Sequence, residues 1–489
     1  MADSSPLLPQ SRSPEPEEAT IPSLNDIIER TVDKFSLTQL LQAALVSLSL
    51  LFDGQQAFIS VFTDAVGSTT SASFISTFIS DWGLQNATSF ITGLPTSSFF
   101  MGCLIGGFSL APLADSSLGR KNLLLLSCAL MCLPALLVVF ATNVWIYSAL
   151  RFLSGFGRSP IGTCALVLST EIVGKRWRGQ VGILGFFCFT LGFLSLPAIA
   201  YANRLNSWKS LYFWTSLPTI LYCPLLYFLA LESPRWLYMQ GRAGEAVATL
   251  TRIAPVNQTD IEMLLTGELI EEISKETIPN FYALVRSLLG KRWALRRLAV
   301  VMVAAFGIGM VYYGMPLGVE DLGFSTYLST AFNALSEIPA FLLTFFFIGK
   351  WERTGSLVGF AVVSGVCSVG CVAASERWEW VRLGSEVVSF SAACGAYAIL
   401  LIYTLELFPT SVRNSATSMV RQAQVFGAAF SPLLVAAGRG HDFVFYGVLG
   451  LVIIFCGSFV VFLPETKGTT LCDSMDEQEC KDSGGVSVR

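Results

Sequence analysis

Ala392-Ala-Cys-Gly-Ala-Tyr-Ala-Ile-Leu-Leu-Ile-Tyr-Thr-Leu-Glu406-Leu-Phe-Pro-Thr-Ser-Val-Arg413 is an apolar run that stops on an acid and meets an arginine seven residues later. Ala165-Leu-Val-Leu-Ser-Thr-Glu171-Ile-Val-Gly-Lys-Arg-Trp-Arg178 ends another apolar run the same way, in the first half of the chain. Two more signatures recur at matched places. Asp115-Ser-Ser-Leu-Gly119-Arg120-Lys121 is echoed by Glu352-Arg353-Thr354-Gly355, and Glu232-Ser233-Pro234-Arg235 by Pro464-Glu465-Thr466-Lys467-Gly468. Acid/base signatures in register in both halves mark an internal repeat of parallel topology.

Composition sets the solvent. Of 489 residues, 53% are hydrophobic and only 13% charged, against about a quarter charged in soluble domains. A hydrocarbon core needs about 20 apolar residues per helix. Such runs predict helices at 37–64, 92–114, 122–141, 144–170, 179–202 and 210–231, then at 297–316, 326–349, 356–374, 382–407, 415–437 and 443–463. The predicted fold is an all-α membrane protein: twelve transmembrane helices in two pseudo-symmetric six-helix bundles. The expected domains are a tail (1–36), a first bundle (37–231), a polar linker with short helices (232–296), a second bundle (297–463) and a final tail (464–489).

Lys and Arg gather in the loops after helices 2, 4, 6, 8 and 10 (Arg120, Lys121, Lys175, Arg176, Arg178, the linker, Lys350, Arg353, Arg413), which predicts cytosolic termini. Met1 to Thr31 has no apolar h-region, so no signal peptide is expected. The twelve cysteines fall in apolar segments or the final tail, and no structural disulfide is expected. Cys367 and Cys371, one turn apart, read as small packing residues rather than metal ligands. The net charge of −4 speaks against a nucleic-acid partner.

Arg151-x3-Gly155-x-Gly157, Glu171-x6-Arg178-Gly179, Glu232-Ser-Pro-Arg-Trp-Leu237, Tyr403-x2-Glu406-x2-Pro409-x3-Arg413 and Pro464-Glu-Thr-Lys-Gly468 resemble the sugar and organic-ion branch of the major facilitator superfamily. Asp53-Gly-Gln-Gln56, Ala114-Asp-Ser-Ser-Leu-Gly-Arg-Lys121, Gly157-Arg-Ser-Pro-Ile-Gly-Thr-Cys-Ala165, Gly309-Met-Val-Tyr-Tyr-Gly-Met-Pro316 and Asn333-Ala-Leu-Ser-Glu337 narrow it to the plant organic cation/carnitine transporters. The resemblance implies the major facilitator fold, with secondary active or facilitative transport of an organic cation or zwitterion such as carnitine by alternating access. It implies no cofactor and no enzyme activity. A proton or sodium ion is the expected coupling partner, the lipid bilayer is the surrounding medium, and a monomer is expected.

Charge inside membrane helices is costly and usually functional. Asp53, Arg158, Glu337, Glu386 and Arg421 are therefore candidates for substrate binding or proton coupling. Asp53 and Glu337 suit a cation or a coupling proton, and Arg421 suits a carboxylate unless it pairs with one of those acids. Glu386 is also compatible with a solvated place near a helix end. Aromatic faces attract quaternary ammonium groups, and Tyr312, Tyr313, Trp214, Phe390 and Tyr397 are available. Asp115, Arg120, Arg151, Glu171, Arg178, Glu406 and Arg413 are expected to form a cytosolic gate, Asp115 pairing with Arg120 and Glu171 or Glu406 with Arg178 or Arg413.

Weaker signals are discounted. Ser169-x4-Gly174-Lys175-Arg176 approximates a nucleotide-binding phosphate loop, but lacks Gly at its first position and Ser or Thr after Lys175. The sequon at Asn86 sits so near helix 2 that glycosylation there is disfavoured. The single histidine, His441, makes no metal site. A sugar/proton symporter and a membrane sensor are the competing functions. The sugar branch carries a Gln-Gln-x-Ser-Gly-x-Asn run where this helix 7 reads Gly307-Ile-Gly-Met-Val-Tyr-Tyr313. Asp3-Ser-Ser-Pro-Leu7-Leu8 fits an acidic dileucine sorting pattern, which favours the vacuolar membrane over the plasma membrane.

Overall fold

The computed structural model describes residues 32, 35–64, 76–110, 113, 118–253, 281–322, 324–347, 350–373, 378–438, 442–468, 472 and 474–482. Asp115 and His441 lie outside them, as does the linker stretch 254–280.

Among the described residues, twelve long helices carry the structure. The first six are α1 (Leu37–Phe58, continued by Ser60–Thr63), α2 (Ser89–Ser109), α3 (Arg120–Leu137), α4 (Val144–Arg158 and Ile161–Glu171), α5 (Arg178–Ala202) and α6 (Lys209–Leu229). The second six are α7 (Arg292–Gly314), α8 (Thr326–Phe347), α9 (Arg353–Ala373), α10 (Glu379–Leu407), α11 (Arg413–Gly438) and α12 (Asp442–Ser458). Among the described residues, nine helices are long and apolar enough to cross a membrane on length and composition alone. The other three are α4, α6 and α11. Helix α4 is broken at Ser159-Pro160, where proline removes a backbone donor. Helix α11 is diluted by Arg421, Gln422 and Gln424. Burial among the other helices compensates for that polarity.

Helix starts obey local rules. Ser36 caps α1: its Oγ accepts from Gln39 N, while Gln39 Oε1 accepts from Ser36 N at 2.8 Å. Ser36 Oγ also donates to the Ile253 carbonyl at 2.7 Å, so α1 begins at the end of the bundle that carries the linker. Linker helices occupy Ala243–Ile253 and Phe281–Gly290. The final helix, Met475–Asp482, is tied to the base of α7 by Lys291 to Asp476 (2.5 Å) and Arg297 to Asp482 (2.8 Å).

Within the first half α1 packs on α5, α2 on α4 and α3 on α6; within the second, α7 packs on α11, α8 on α10 and α9 on α12. The halves meet along α2 with α11 and α5 with α8, and these two seams exchange under the repeat. The seams are tight. A Cβ on Gly93 of α2 would stand 2.8 Å from the Pro432 carbonyl of α11, so only glycine permits that approach. At the end away from the linker, Tyr327 stacks on Phe62 with ring centroids 5.7 Å apart, and Ser89 Oγ donates to the Ala436 carbonyl at 3.0 Å.

Candidate functional site

The centre of the bundle holds a narrow cavity of about 40 Å³, lined by Asp53, Cys103, Arg158, Tyr313, Tyr397 and Arg421 among others. That is room for a few waters. Asp53 on α1 and Arg158 on α4 form a bidentate fork, Nε to Oδ1 at 2.6 Å and Nη2 to Oδ2 at 3.2 Å, with both side chains buried. A desolvated pair of this geometry holds only because each charge answers the other. The Arg158 guanidinium also lies 5.7 Å from the Phe99 ring centroid and 5.8 Å from that of Tyr313.

Arg421 enters the same cavity from α11 and is half-buried. Its polar contact is a 3.4 Å bond from Nη1 to Thr163 Oγ1, and its Nη2 would stand 2.9 Å from a Cβ on Gly162. Neither Asp53 nor Glu337 pairs with it: among the described residues no carboxylate does. Two arginines and one aspartate line the cavity, which leaves one positive charge uncompensated.

Glu337 sits deeper, fully buried on α8. It accepts from Tyr312 Oη on α7 and from Thr190 Oγ1 on α5, both at 2.8 Å, so this carboxyl bridges the two halves. Tyr312 stacks on Tyr397 at 4.9 Å and on Phe390 at 5.7 Å, and stands perpendicular to Tyr313. An aromatic wall thus separates Glu337 from the cavity. Two expectations fail here. Glu386 is not solvated: it is fully buried between α10 and α8, where Asn333 Nδ2 donates to its Oε1 at 2.8 Å. Trp214 is outside the site, half exposed beside Phe213 on the flank of α6.

The charged ends rearrange the expected gate. Glu171 pairs with Arg120 at 3.7 Å, and Glu406 takes a bidentate fork from Arg353, both bonds 2.9 Å. Arg178 donates instead to the Thr170 carbonyl and Arg413 to the Phe408 carbonyl. The reason is geometric: seven residues along a chain that leaves one helix and starts the next do not bring the ends face to face, whereas the first residue of the neighbouring helix is already there. Arg151 is corrected outright. It is fully buried inside the first bundle, its guanidinium 4.0 Å from the Phe99 ring centroid and bonded to the Gln56 carbonyl at 3.4 Å. Ser169 and Gly174 belong to the end of α4 and the turn after it, with Ser169 Oγ spent on the Leu166 carbonyl at 3.0 Å, and Lys175 opens a short 3-10 turn. No strand-to-loop phosphate cradle exists there. Asn86 is exposed just before α2.

Behind each ion pair stands a second acid. Glu232 accepts from Lys121 N at 3.1 Å, and Glu465 accepts from Arg353 N at 2.9 Å and Thr354 N at 3.0 Å. Each carboxylate faces the N-terminus of a helix, where unpaired N–H groups and the helix dipole favour it. Gly119 makes room: it has φ 83°, and a Cβ there would lie 2.4 Å from Glu232 Oε2. Burial pushes the Glu232 carboxyl up from its ordinary value. Burial also acts on Glu465, but backbone N–H groups of Arg353, Lys467, Thr354 and Thr466 outweigh it and hold that carboxyl low.

Sequence reading missed Arg353, Thr190 and the roles of Glu232, Glu465 and Asn333. The repeat already matched the segments that hold Arg120 and Arg353, and those that hold Glu232 and Glu465, and that signal points to both clasps. It also missed Asp64, at the end of α1 away from the linker. Asp64 accepts from Thr63 Oγ1 at 2.7 Å and Tyr147 Oη at 3.1 Å, and from Thr96 Oγ1.

Residues 46–476 match the family model described as sugar (and other) transporter. The chain is 52% identical to organic cation/carnitine transporter 3 of Arabidopsis thaliana, with 98% of each chain covered. It is 50% identical to organic cation/carnitine transporter 2 of the same plant, covering 98% of this chain and 97% of that one. Solute carrier family 22 member 3 of Mus musculus is 31% identical, over 96% of this chain and 84% of its own. Among solved structures, a D-xylose-proton symporter superposes with TM-score 0.65 at 18% identity, covering 90% of this chain and all of that one. An inward-open xylose transporter XylE from E. coli gives 0.66, also at 18% identity, covering 88% and 97%. The chain is an integral membrane transporter of the major facilitator superfamily and belongs to its sugar (and other) transporter family, with the plant organic cation/carnitine transporters among its relatives.

Proposed function

We propose that this transporter moves a zwitterion, an organic cation that also bears a carboxylate, of which carnitine is the type. The observation that carries this is the central cavity itself, where Arg421 faces Tyr313 and Tyr397 with no carboxylate partner among the described residues. A simple cation would meet an excess positive charge there. A zwitterion brings the missing carboxylate to Arg421 and lays its ammonium on the aromatic faces. The relatives' names, organic cation/carnitine transporters, point the same way.

The cavity is too small for such a substrate, so the halves part along the α2–α11 and α5–α8 seams to admit it. Glu337 bridges the α5–α8 seam through Thr190 and is the group that a coupling proton would visit. Sodium is the other candidate ion. The Lys/Arg bias places both termini and the linker in the cytosol. The dileucine pattern near the N-terminus favours the vacuolar membrane over the plasma membrane, and the chain works as a monomer.

The test is Arg421→Ala in competition uptake. A hydrogen-bonded charged group is worth about 1.5–3 kcal/mol, so carnitine should weaken by that amount while choline, which lacks a carboxylate, changes little. Equal losses for the two would sink the carboxylate role.

A further inference from the structure

One face of α8 carries Ser329, Asn333 and Glu337 at successive helical turns, all fully buried. Ser329 Oγ and Asn333 Oδ1 have no hydrogen-bond partner among the described residues, and neither has Glu386 Oε2 across from them on α10. Buried polar atoms without protein partners bind internal water. Along α8 these positions run as a column of polar sites from near its end away from the linker to Glu337. Two acids stand on it, Glu386 held by Asn333, and Glu337 one turn further on.

We propose that this column conducts protons to Glu337 from the end of the bundle away from the linker, with Glu386 as the relay. The proposal rests on reading Glu337 as the coupling acid. A hydronium ion gives its proton to Glu386 Oε2 and leaves as water. The new O–H bond then breaks as the proton passes through bridging water to the Glu337 carboxylate, and Glu386 returns to its starting state. One proton is displaced and nothing is oxidised or reduced.

Among the described residues, the titratable and charged groups on the segments around Glu386 are Arg382 one turn away on α10, Cys371 on α9 (which donates to the Arg382 carbonyl), Glu337 one turn beyond Asn333 on α8, and its partner Tyr312 on α7. None of them hydrogen-bonds its carboxyl, which therefore is not held in a structural ion pair. A carboxyl serving only to tie α10 to α8 would need one oxygen on Asn333 and no column beyond it. The unpartnered Ser329 Oγ and Asn333 Oδ1 are what a tie does not explain.

The purified protein in lipid, subjected to a small acid jump and followed by infrared difference spectroscopy, tests this without any substrate. Wild type should show a lasting carboxyl band that Glu337→Gln removes and a transient one that Glu386→Gln removes. In Glu386→Gln the Glu337 band should appear at least about tenfold more slowly, as expected when a proton-transfer group is lost. Glu386→Asp should restore most of the rate, which a merely structural tie would not require. If the Glu337 band rises as fast in Glu386→Gln as in wild type, the relay is wrong while Glu337 remains a coupling acid. If no protein shows a Glu337 band, the coupling reading falls and the relay with it.

Discussion

At the linker end the two halves are nearly copies, and at the centre of the membrane they differ. Arg120–Glu171 with Glu232 behind it repeats as Arg353–Glu406 with Glu465 behind it. In the centre, the first half compensates its acid, Asp53 with Arg158. The second half buries Glu337 and Glu386 with hydroxyl and amide partners and no cation. The difference separates two jobs. If these ion pairs act as the expected gate, both bundles need one at this end, and the device is present twice. On the proposed coupling role of Glu337, holding a charge still and letting one move are opposite demands that fall to different halves.

The largest expected effect breaks that central contrast. Arg158→Ala strands Asp53 in a buried site, which costs about 3–5 kcal/mol. Glu337→Gln keeps an acceptor for Tyr312 and Thr190 and should cost no more than about 1 kcal/mol. Thermal unfolding in detergent compares them, and Asp53→Asn on top of Arg158→Ala should recover much of the loss because the two groups share one network. If Arg158→Ala is as mild as Glu337→Gln, Arg158 does not compensate Asp53.

A middle-sized effect probes the copies. The second clasp is a bidentate fork at 2.9 Å and the first a single contact at 3.7 Å. Arg353→Ala should therefore slow turnover more than Arg120→Ala, by about 1.5–3 kcal/mol against about 0–1 kcal/mol for the looser pair. Substrate affinity should stay within a few-fold in both, since neither residue lines the cavity. Equal slowing would mean that the two clasps act as one, and loss of binding would remove them from the gate.

The fold was legible because hydropathy and the repeat are properties of long stretches. Twelve spans follow from apolar runs, including the three (α4, α6 and α11) that length and composition of the helices do not single out. The site was legible only in part. Asp53, Arg158, Tyr313 and Arg421 announce themselves as charges or aromatics inside membrane helices, and the structure brings all of them to one cavity. What sequence could not assign is who answers whom. Glu171 and Arg178 share a motif yet do not pair, because pairing depends on where the next helix starts. Thr190 and Asn333 are ordinary polar residues until their neighbours are known to be buried carboxyls. Arg151 was misplaced for the same reason: a motif names a residue without giving its depth.

The smallest effect separates the two acids that cap α3 and α9. Glu232 is raised by burial, so its ionised form opposes folding at neutral pH, and the opposition fades as pH falls through its raised value toward the ordinary 4.5. Glu465 is also touched by burial, but its backbone donors hold it below that ordinary 4.5. Its ionised form supports folding at neutral pH, and the support is lost as pH falls through 4.5 and below. Relative to wild type, Glu232→Gln should then raise the unfolding temperature slightly at pH 7, and Glu465→Gln should lower it. Each shift should be no more than about 2 °C in a chain of this size, since Glu465 lies largely in solvent and is screened. The Glu232→Gln difference should shrink on going from neutral pH to 4.5, whereas the Glu465→Gln difference should persist to 4.5 and shrink only below it. Shifts of the same sign for the two variants at pH 7 would show that the two caps are energetic as well as geometric copies, and would confine the asymmetry of the halves to the membrane centre.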